Sequence, residues 1–176
     1  MKSALALFAV TAIAVLVIGG FYNITREPIA LQQAAREREL ISILLPGTVE
    51  LTEEDVLDSP GVSRIITGLG EGGVQLGYVV FAQAPGYGGP VEIMAGFNAN
   101  GTLTGVQVLR HRETPGLGTG ILLPNFLNQF AGRENIMTVS RNATEADEIQ
   151  ALSSATISTA AVVNGINAAI EYVRGR

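Results

Sequence analysis

The sequence predicts an α+β protein in which a single N-terminal transmembrane helix precedes an antiparallel sheet with helices packed against it. Three patterns lead to this prediction. Residues 3–25 form an uncharged apolar run, residues 63–112 contain four strand-like segments, and residues 157–174 repeat apolar side chains at helical spacing. Strands followed by helices in this order favour one sheet with helices on its face, so we expect one domain on a membrane tether.

The apolar run, SALALFAVTAIAVLVIGGFYNIT, is 23 residues long and carries no charge. A helix of this length, at about 1.5 Å per residue, crosses a hydrocarbon core of roughly 30 Å. A cleaved signal peptide is the alternative. However, the run exceeds the usual apolar core of about 7–15 residues, and no clear small-residue cleavage site ends it. The short N-terminus with Lys2 favours a cytoplasmic start, which places the remaining chain outside the cytoplasm.

This pattern predicts three regions: an anchor over residues 1–25, a juxtamembrane helix and connector over residues 26–60, and a folded domain over residues 61–176. The connector, PGTVELTEEDVLDSPG, is acidic and bounded by Pro-Gly pairs. Such a composition is typical of a solvated, turn-rich segment.

Within the folded domain, the segments SRIITGL, GVQLGYVVFAQA, PVEIMAGFN and TLTGVQVLRH are rich in Val, Ile and Leu and predict strands. Asn100-Gly101 predicts a hairpin turn, since such turns require positive φ angles. A short helix is expected at residues 120–131 and a further strand at residues 135–141. The last helix is expected at residues 157–174.

Composition restricts the chemistry that the chain can perform. There is no cysteine and only one histidine, His111, which excludes disulfides, thiolate catalysis and cysteine metal sites. We therefore predict no metal site and no catalytic residue of the chain's own. The net charge of -5 argues against a nucleic-acid partner, because phosphate binding needs a basic surface. Any chemistry would rest on a bound cofactor.

Two Gly-rich loops are candidates for close approach to a ligand. HRETPGLG, residues 111–118, directly follows a predicted strand, and the alternative is an ordinary turn in which His111 is a hydrogen-bonded surface group. APGYGGP, residues 84–90, is a second bend. It lacks both the strand–GxGxxG–helix context of a dinucleotide fold and the lysine of a P-loop, so we reject both interpretations.

The stretch QALSSATISTAAVVNG, residues 150–165, places five hydroxyl side chains before an apolar, helix-periodic segment. The residues alone leave two alternatives open. Ser158 or Thr159 caps the last helix through a backbone N–H, a contribution of about 1 kcal/mol. Alternatively, Thr156 holds a phosphate in the field of the helix N-terminus.

The run SSAT at residues 153–156, followed by IST, resembles the S-[GS]-A-T-x-[ST] attachment motif of proteins that carry FMN covalently. Residues 86–118, which end in ETPGLG, are similar to the other half of that FMN-binding domain. With the anchor, the resemblance covers nearly the whole chain and is strongest to the G subunits (RnfG) of the Rnf ion-translocating electron-transport complexes. The chain departs from the family in having Gln150 where an acidic residue is usual, and Ser154 where glycine is commoner.

The resemblance implies that a flavin transferase joins the phosphate of FMN to the Thr156 hydroxyl through a phosphoester. It also implies that the loop at residues 113–118 lies against the flavin, with Leu117 packing on the ring. The cofactor-binding residues implied in this way are Thr156, Ser153, Ser154, Ala155, Glu113, Thr114, Gly116, Leu117 and Gly118.

The same resemblance implies an electron relay in the bacterial inner membrane, with its domain on the periplasmic side and with Rnf subunits A, B, C, D and E as partners. That complex passes electrons between ferredoxin and NAD and moves Na⁺ or H⁺. Two alternatives remain: the C subunit of a Na⁺-translocating NADH:quinone reductase, and a cofactor-free membrane-anchored scaffold. A flavin-bearing regulator would be expected to carry additional domains.

Overall fold

A computed structural model describes the backbone of residues 2–176, and it describes all side chains in that range except those of residues 2, 5, 21, 23–28 and 30. Helix α1 runs over Lys2–Leu44. The chain divides into two compact units, one up to Glu39 and one from Leu40 onward.

The first unit consists of most of helix α1. Its described apolar side chains, among them Leu7, Phe8 and Leu16, are exposed. Over the side chains that the structure describes, no helix combines the length and the apolar character needed to cross a membrane. Part of the expected anchor, including Met1, Leu5 and residues 23–25, lies outside those described side chains, and the anchor stays a prediction.

The second unit is built on an antiparallel sheet in the strand order β1-β2-β3-β4-β5. The strands are β1 (Glu50–Asp55), β2 (Val62–Leu69), β3 (Gln75–Pro85), β4 (Pro90–Asn98) and β5 (Leu103–Arg110). The four predicted strands are confirmed as β2 to β5. The predicted hairpin is confirmed too, since the Gly101 N–H donates to the Asn98 carbonyl oxygen at 3.0 Å.

Strand β1 lies in the segment that we expected to be a turn-rich connector, and that expectation is wrong. Glu50 to Asp55 pair with β2 along its whole length, and the second compact unit begins at Leu40 rather than at residue 61. All six side chains of β1 are exposed. The strand is therefore held by backbone pairing and shows none of the apolar alternation that marks a half-buried strand. Its acidic residues are typical of a protected sheet edge.

Both faces of the sheet are buried, because successive residues of the central strands point to opposite sides. Helix α3 (Thr156–Arg174) packs on one face, where Val80, Ile93 and Ile166 belong to one apolar cluster. The end of α1 covers the other face, where Leu44 and Met94 belong to a second cluster.

A column of glycines receives the end of α1. Gly68 and Gly77 are paired across β2 and β3, and Gly96 and Gly105 are paired across β4 and β5. A Cβ built on Gly96 would lie 2.8 Å from the Cβ of Leu44, closer than real Cβ atoms approach. Glycine in these strands therefore makes room for the helix end.

The helix predicted at residues 120–131 is broken into a 3₁₀ turn at Gly118–Leu122 and a short helix α2 at Pro124–Leu127. Pro124 explains the break, because it lacks an N–H to continue the first turn and is well suited to begin a new one. Strand β6 (Thr138–Ser140) falls in the predicted strand at residues 135–141 and pairs in parallel with β7 (Glu148–Gln150). Strand β7 was not predicted.

Candidate cofactor site

A cavity of about 580 Å³ opens where two loops meet the start of α3. This volume lies within the range of roughly 300–1,000 Å³ that is typical of small-molecule and cofactor sites. Its lining comes from three segments that are distant in sequence: Tyr87; Glu113, Thr114, Leu117 and Gly118; and Ser154, Ala155, Thr156, Ile157 and Ser158. The fold therefore brings the ETPGLG loop and the SSAT run to one cavity.

Thr156 is the first residue of α3, and its side chain is exposed on the cavity wall. The first N–H groups of a helix have no intrahelical acceptor and carry a partial positive charge. A phosphate held on Thr156 would lie in this field, which favours an anion.

The other hydroxyls of the run do not cap α3. The N-cap residue is Ala155, which makes no side-chain capping bond. The buried hydroxyl of Thr159 donates to the Ala155 carbonyl oxygen at 3.0 Å and accepts the Leu152 N–H at 3.1 Å. Capping by Ser158 or Thr159 is therefore wrong, because both hydroxyls have other partners.

Ser158 makes the contact that joins the helix to the ETPGLG loop. Its buried hydroxyl donates to Oε2 of Glu113 at 2.5 Å. The other carboxylate oxygen of Glu113 accepts the Gly88 N–H at 3.2 Å. With 5% of its surface exposed, Glu113 is a buried carboxylate whose two oxygens contact the two neighbouring segments of the cavity wall.

Three glycines fit closely around Glu113 and the loop that carries it. A Cβ on Gly118 would lie 2.6 Å from Oε2 of Glu113, and a Cβ on Gly86 would overlap Oε1. A Cβ on Gly88 would overlap the carbonyl oxygen of Arg112. The glycines of both loops are therefore required by the packing around this carboxylate. Gly116 differs, since its φ of +78° places it in a turn with open space around it.

His111 is a hydrogen-bonded group beside the site. Its Nδ1 accepts the N–H of Glu113 at 3.1 Å, and the side chain is partly exposed. This agrees with the interpretation of His111 as a structural hydrogen-bond partner at the end of β5.

Most of the residues implicated by sequence meet at the cavity, and two do not line it. Ser153 and Gly116 are exposed and lie outside the lining. Sequence reasoning missed Tyr87 and Ile157, which are 72% and 55% exposed on the wall. A signal was present for both, since Tyr87 is the aromatic residue of a Gly-rich bend and Ile157 is apolar but outside the buried stripe of α3.

Comparison with known proteins agrees with this geometry. Residues 86–171, which include every lining segment, match the FMN-binding domain family. The G subunit of the ion-translocating oxidoreductase complex of Methanosarcina acetivorans is 32% identical over 178 residues, covering 98% of this chain and 93% of the relative. The chain belongs to the family of G subunits of ion-translocating oxidoreductase complexes.

A second member of this G-subunit family extends the similarity. The G subunit of the proton-translocating ferredoxin:NAD(+) oxidoreductase complex of Clostridium ljungdahlii is 27% identical, covering 90% of this chain and 83% of the relative. Among solved structures, NqrC of Shewanella oneidensis aligns with a TM-score of 0.52 at 19% identity. The alignment covers 75% of this chain and 65% of that one. At this identity, the likeness concerns the fold alone.

The structure explains why the attachment motif often has glycine at the position of Ser154. Its φ is +65°, and among the described residues it is the one non-glycine with a positive φ. Ser153 and Ser154 form the centre of a turn that the Ala155 N–H closes on the Leu152 carbonyl oxygen at 3.1 Å. Glycine adopts this left-handed conformation without strain, whereas serine does so at a cost.

The second departure from the attachment motif, Gln150, uses both ends of its amide. Its Oε1 accepts the Ala143 N–H at 3.0 Å, and its Nε2 donates to the Arg141 carbonyl oxygen at 2.5 Å. An acidic side chain at this position would keep the first bond and lose the second, because a carboxylate has no donor. Gln150 therefore closes the loop that leads into the attachment motif.

Proposed function

We propose that this chain is the electron-relay subunit of a membrane-bound, ion-translocating ferredoxin:NAD oxidoreductase complex, and that it carries FMN as a phosphoester of Thr156. The observation that carries the proposal is the cavity that Thr156 shares with the ETPGLG loop. Membership of the G-subunit family supports the assignment to such a complex, because the two relatives compared above bear the names of its subunits.

The residues present suit the two ends of FMN. The Thr156 hydroxyl and the N-terminus of α3 would hold the phosphate. The exposed apolar side chains of Leu117, Tyr87 and Ile157 provide a surface for the flavin ring. When bound, FMN supplies transfer of one or two electrons, and the protein binds and orients it.

We place the complex in the bacterial inner membrane, with the anchor over residues 1–25 and the FMN-binding domain on the periplasmic side. The uncharged run and the short N-terminus support this placement. The expected partners are Rnf subunits A, B, C, D and E, with a flavin transferase for maturation. Covalent attachment has a physical rationale, since a tethered cofactor is not lost where free flavin is dilute.

The test is the intact mass of the full chain under denaturing conditions after co-expression with a flavin transferase. We expect the mass to rise by one FMN less one water, mapped to the peptide with Thr156. Thr156→Ala should abolish the increase, whereas Thr156→Ser, which keeps the hydroxyl, should retain part of it.

A colourless wild-type chain of unmodified mass would contradict the proposal and favour the cofactor-free scaffold. The choice of complex is tested separately by isolating the tagged, modified chain from its host membrane. Co-purification of Rnf subunits supports the proposal. Co-purification of the other subunits of an NADH:quinone reductase would contradict it while leaving the flavin site intact.

A further inference from the structure

We propose that Glu113 is a positioning residue: its carboxylate ties the three segments of the cavity wall together and thereby sets the orientation and reduction potential of a flavin tethered at Thr156. The inference rests on the proposed function for its flavin half. Its structural half concerns only how this chain's own residues hold the cavity.

The two carboxylate oxygens of Glu113 contact different segments. Oε2 accepts from Ser158 in the first turn of α3, and Oε1 accepts from the Gly88 N–H in the bend that carries Tyr87. Glu113 itself belongs to the loop that carries Leu117. One side chain therefore connects the wall segment with the attachment threonine to the two wall segments with exposed apolar side chains.

The packing leaves this side chain little freedom. Glu113 is 5% exposed and Ser158 is 2% exposed. Glycines at positions 86 and 118 leave the space that the carboxylate fills, since a Cβ at either position would lie within 3 Å of its oxygens. Because close-packed groups cannot shift independently, movement of the carboxylate would move all three segments.

Ser158 passes this constraint to the attachment point. It lies two residues after Thr156 in the same helix, so the bond to Glu113 fixes the first turn relative to the loop. A phosphoester restrains only one end of FMN, and the ring is oriented by the walls. Loss of the Glu113–Ser158 bond should therefore loosen ring orientation without removing the attachment hydroxyl.

The carboxylate also contributes charge. Within the described part of the chain, its hydrogen-bond donors are a serine hydroxyl and a backbone N–H, and no arginine or lysine forms a salt bridge with it. A negative charge in a buried position is weakly screened. It disfavours the electron-rich reduced flavin and so lowers the reduction potential.

The experiment compares Glu113→Gln, Ser158→Ala and the control Glu71→Gln, an exposed residue outside the cavity. In the full chain with Thr156→Ala, which is unloaded, hydrogen exchange at residues 86–89 and 155–159 is measured. We expect faster exchange in both segments for Ser158→Ala, with the control unchanged. Unchanged exchange in both cavity variants would overturn the structural half, whatever the state of the flavin.

In the loaded full chain, with Thr156 intact, visible circular dichroism and the flavin midpoint potential are measured. Ser158→Ala keeps the charge and should lose dichroism with little change in potential. Glu113→Gln keeps the size and should shift the potential to more positive values. If both variants load FMN and match the wild type in both signals, the flavin half fails while the proposed function stands. Failure of the wild type to load FMN would overturn the proposed function and the flavin half together.

Discussion

The Thr104 hydroxyl donates a hydrogen bond of 2.7 Å to the carbonyl oxygen of Leu44, 60 residues earlier in the chain. The last carbonyl groups of a helix lack intrahelical donors, so the sheet provides a cap for the end of α1. Leu44 is 2% exposed and packs over Gly96 and Gly105. The final turn of α1 is thus part of the core of the second unit.

Gly96→Ala should destabilise the second unit by about 1–3 kcal/mol, the usual cost of overpacking a core. The new Cβ would lie 2.5 Å from Oγ1 of Thr104 and 2.8 Å from Cβ of Leu44. Gly105→Ala is the matched control, since its Cβ would meet only the terminal Cδ2 of Leu44, at 3.3 Å. Urea unfolding followed by circular dichroism measures both, and an equal loss at the two positions would contradict the close fit at Gly96.

Ser154→Gly should stabilise the protein by up to about 1 kcal/mol, because it relieves a left-handed conformation that costs an L-residue roughly 1–2 kcal/mol. Part of the gain is offset by the greater freedom of glycine in the unfolded chain. Ser153→Gly, at the neighbouring turn position without a positive φ, should instead destabilise by about 0.5–1 kcal/mol. The two midpoints of thermal unfolding should move in opposite directions, and a shared direction would show that backbone strain at Ser154 is unimportant.

The parts of the fold that alternate or repeat apolar residues were predictable from sequence. Strands β2 to β5 and helix α3 bury one or both faces, so their patterns reflect their environment. Strand β1 was not predictable in this way, because an exposed edge strand places no demand on its side chains. The glycines of β2 to β5 were visible, but their alignment under Leu44 depends on strand register, which single-strand patterns do not contain.

At the site, sequence motifs identified the two loops but not how they are joined. The meeting of Glu113 with Ser158, 45 residues later, depends on the packing of α3 against the sheet. The same holds for Gly88, whose N–H reaches Glu113 from a third segment. Ser158 looked like a helix cap from its position alone, and only the tertiary contact shows its partner.

Gln150→Glu should loosen the loop at residues 141–150. The carboxylate keeps the bond from the Ala143 N–H but replaces the donor that now reaches the Arg141 carbonyl oxygen. Removing a hydrogen-bond partner of this kind costs about 0.5–1.5 kcal/mol. Gln129→Glu is the matched control, since the Oε1 that accepts the Gln150 N–H at 2.8 Å is retained. Hydrogen exchange over residues 141–147 should accelerate for Gln150→Glu alone, and unchanged exchange would show that the Arg141 contact does not hold the loop.

Glu148 should make the same loop sensitive to acid. The N–H groups of Thr144 and then Glu145 donate to its carboxylate and hold its pKa below the ordinary value of 4.5. A carboxyl group with a lowered folded-state pKa stabilises the protein above its unfolded pKa, and this contribution is lost as the pH falls through the folded value. Glu148→Gln keeps an oxygen acceptor but does not titrate.

The difference in urea midpoint between the wild type and Glu148→Gln isolates this group, because the remaining carboxyl groups titrate in both proteins. We expect the wild type to be the more stable at neutral pH, and the difference to shrink as the pH is lowered below about 4.5 toward about 3. The Thr144 amide proton should report the same transition by NMR, since it donates to the Glu148 carboxylate at 2.8 Å. A stability difference that stays constant over this range would mean that the loop holds Glu148 equally well in its neutral form.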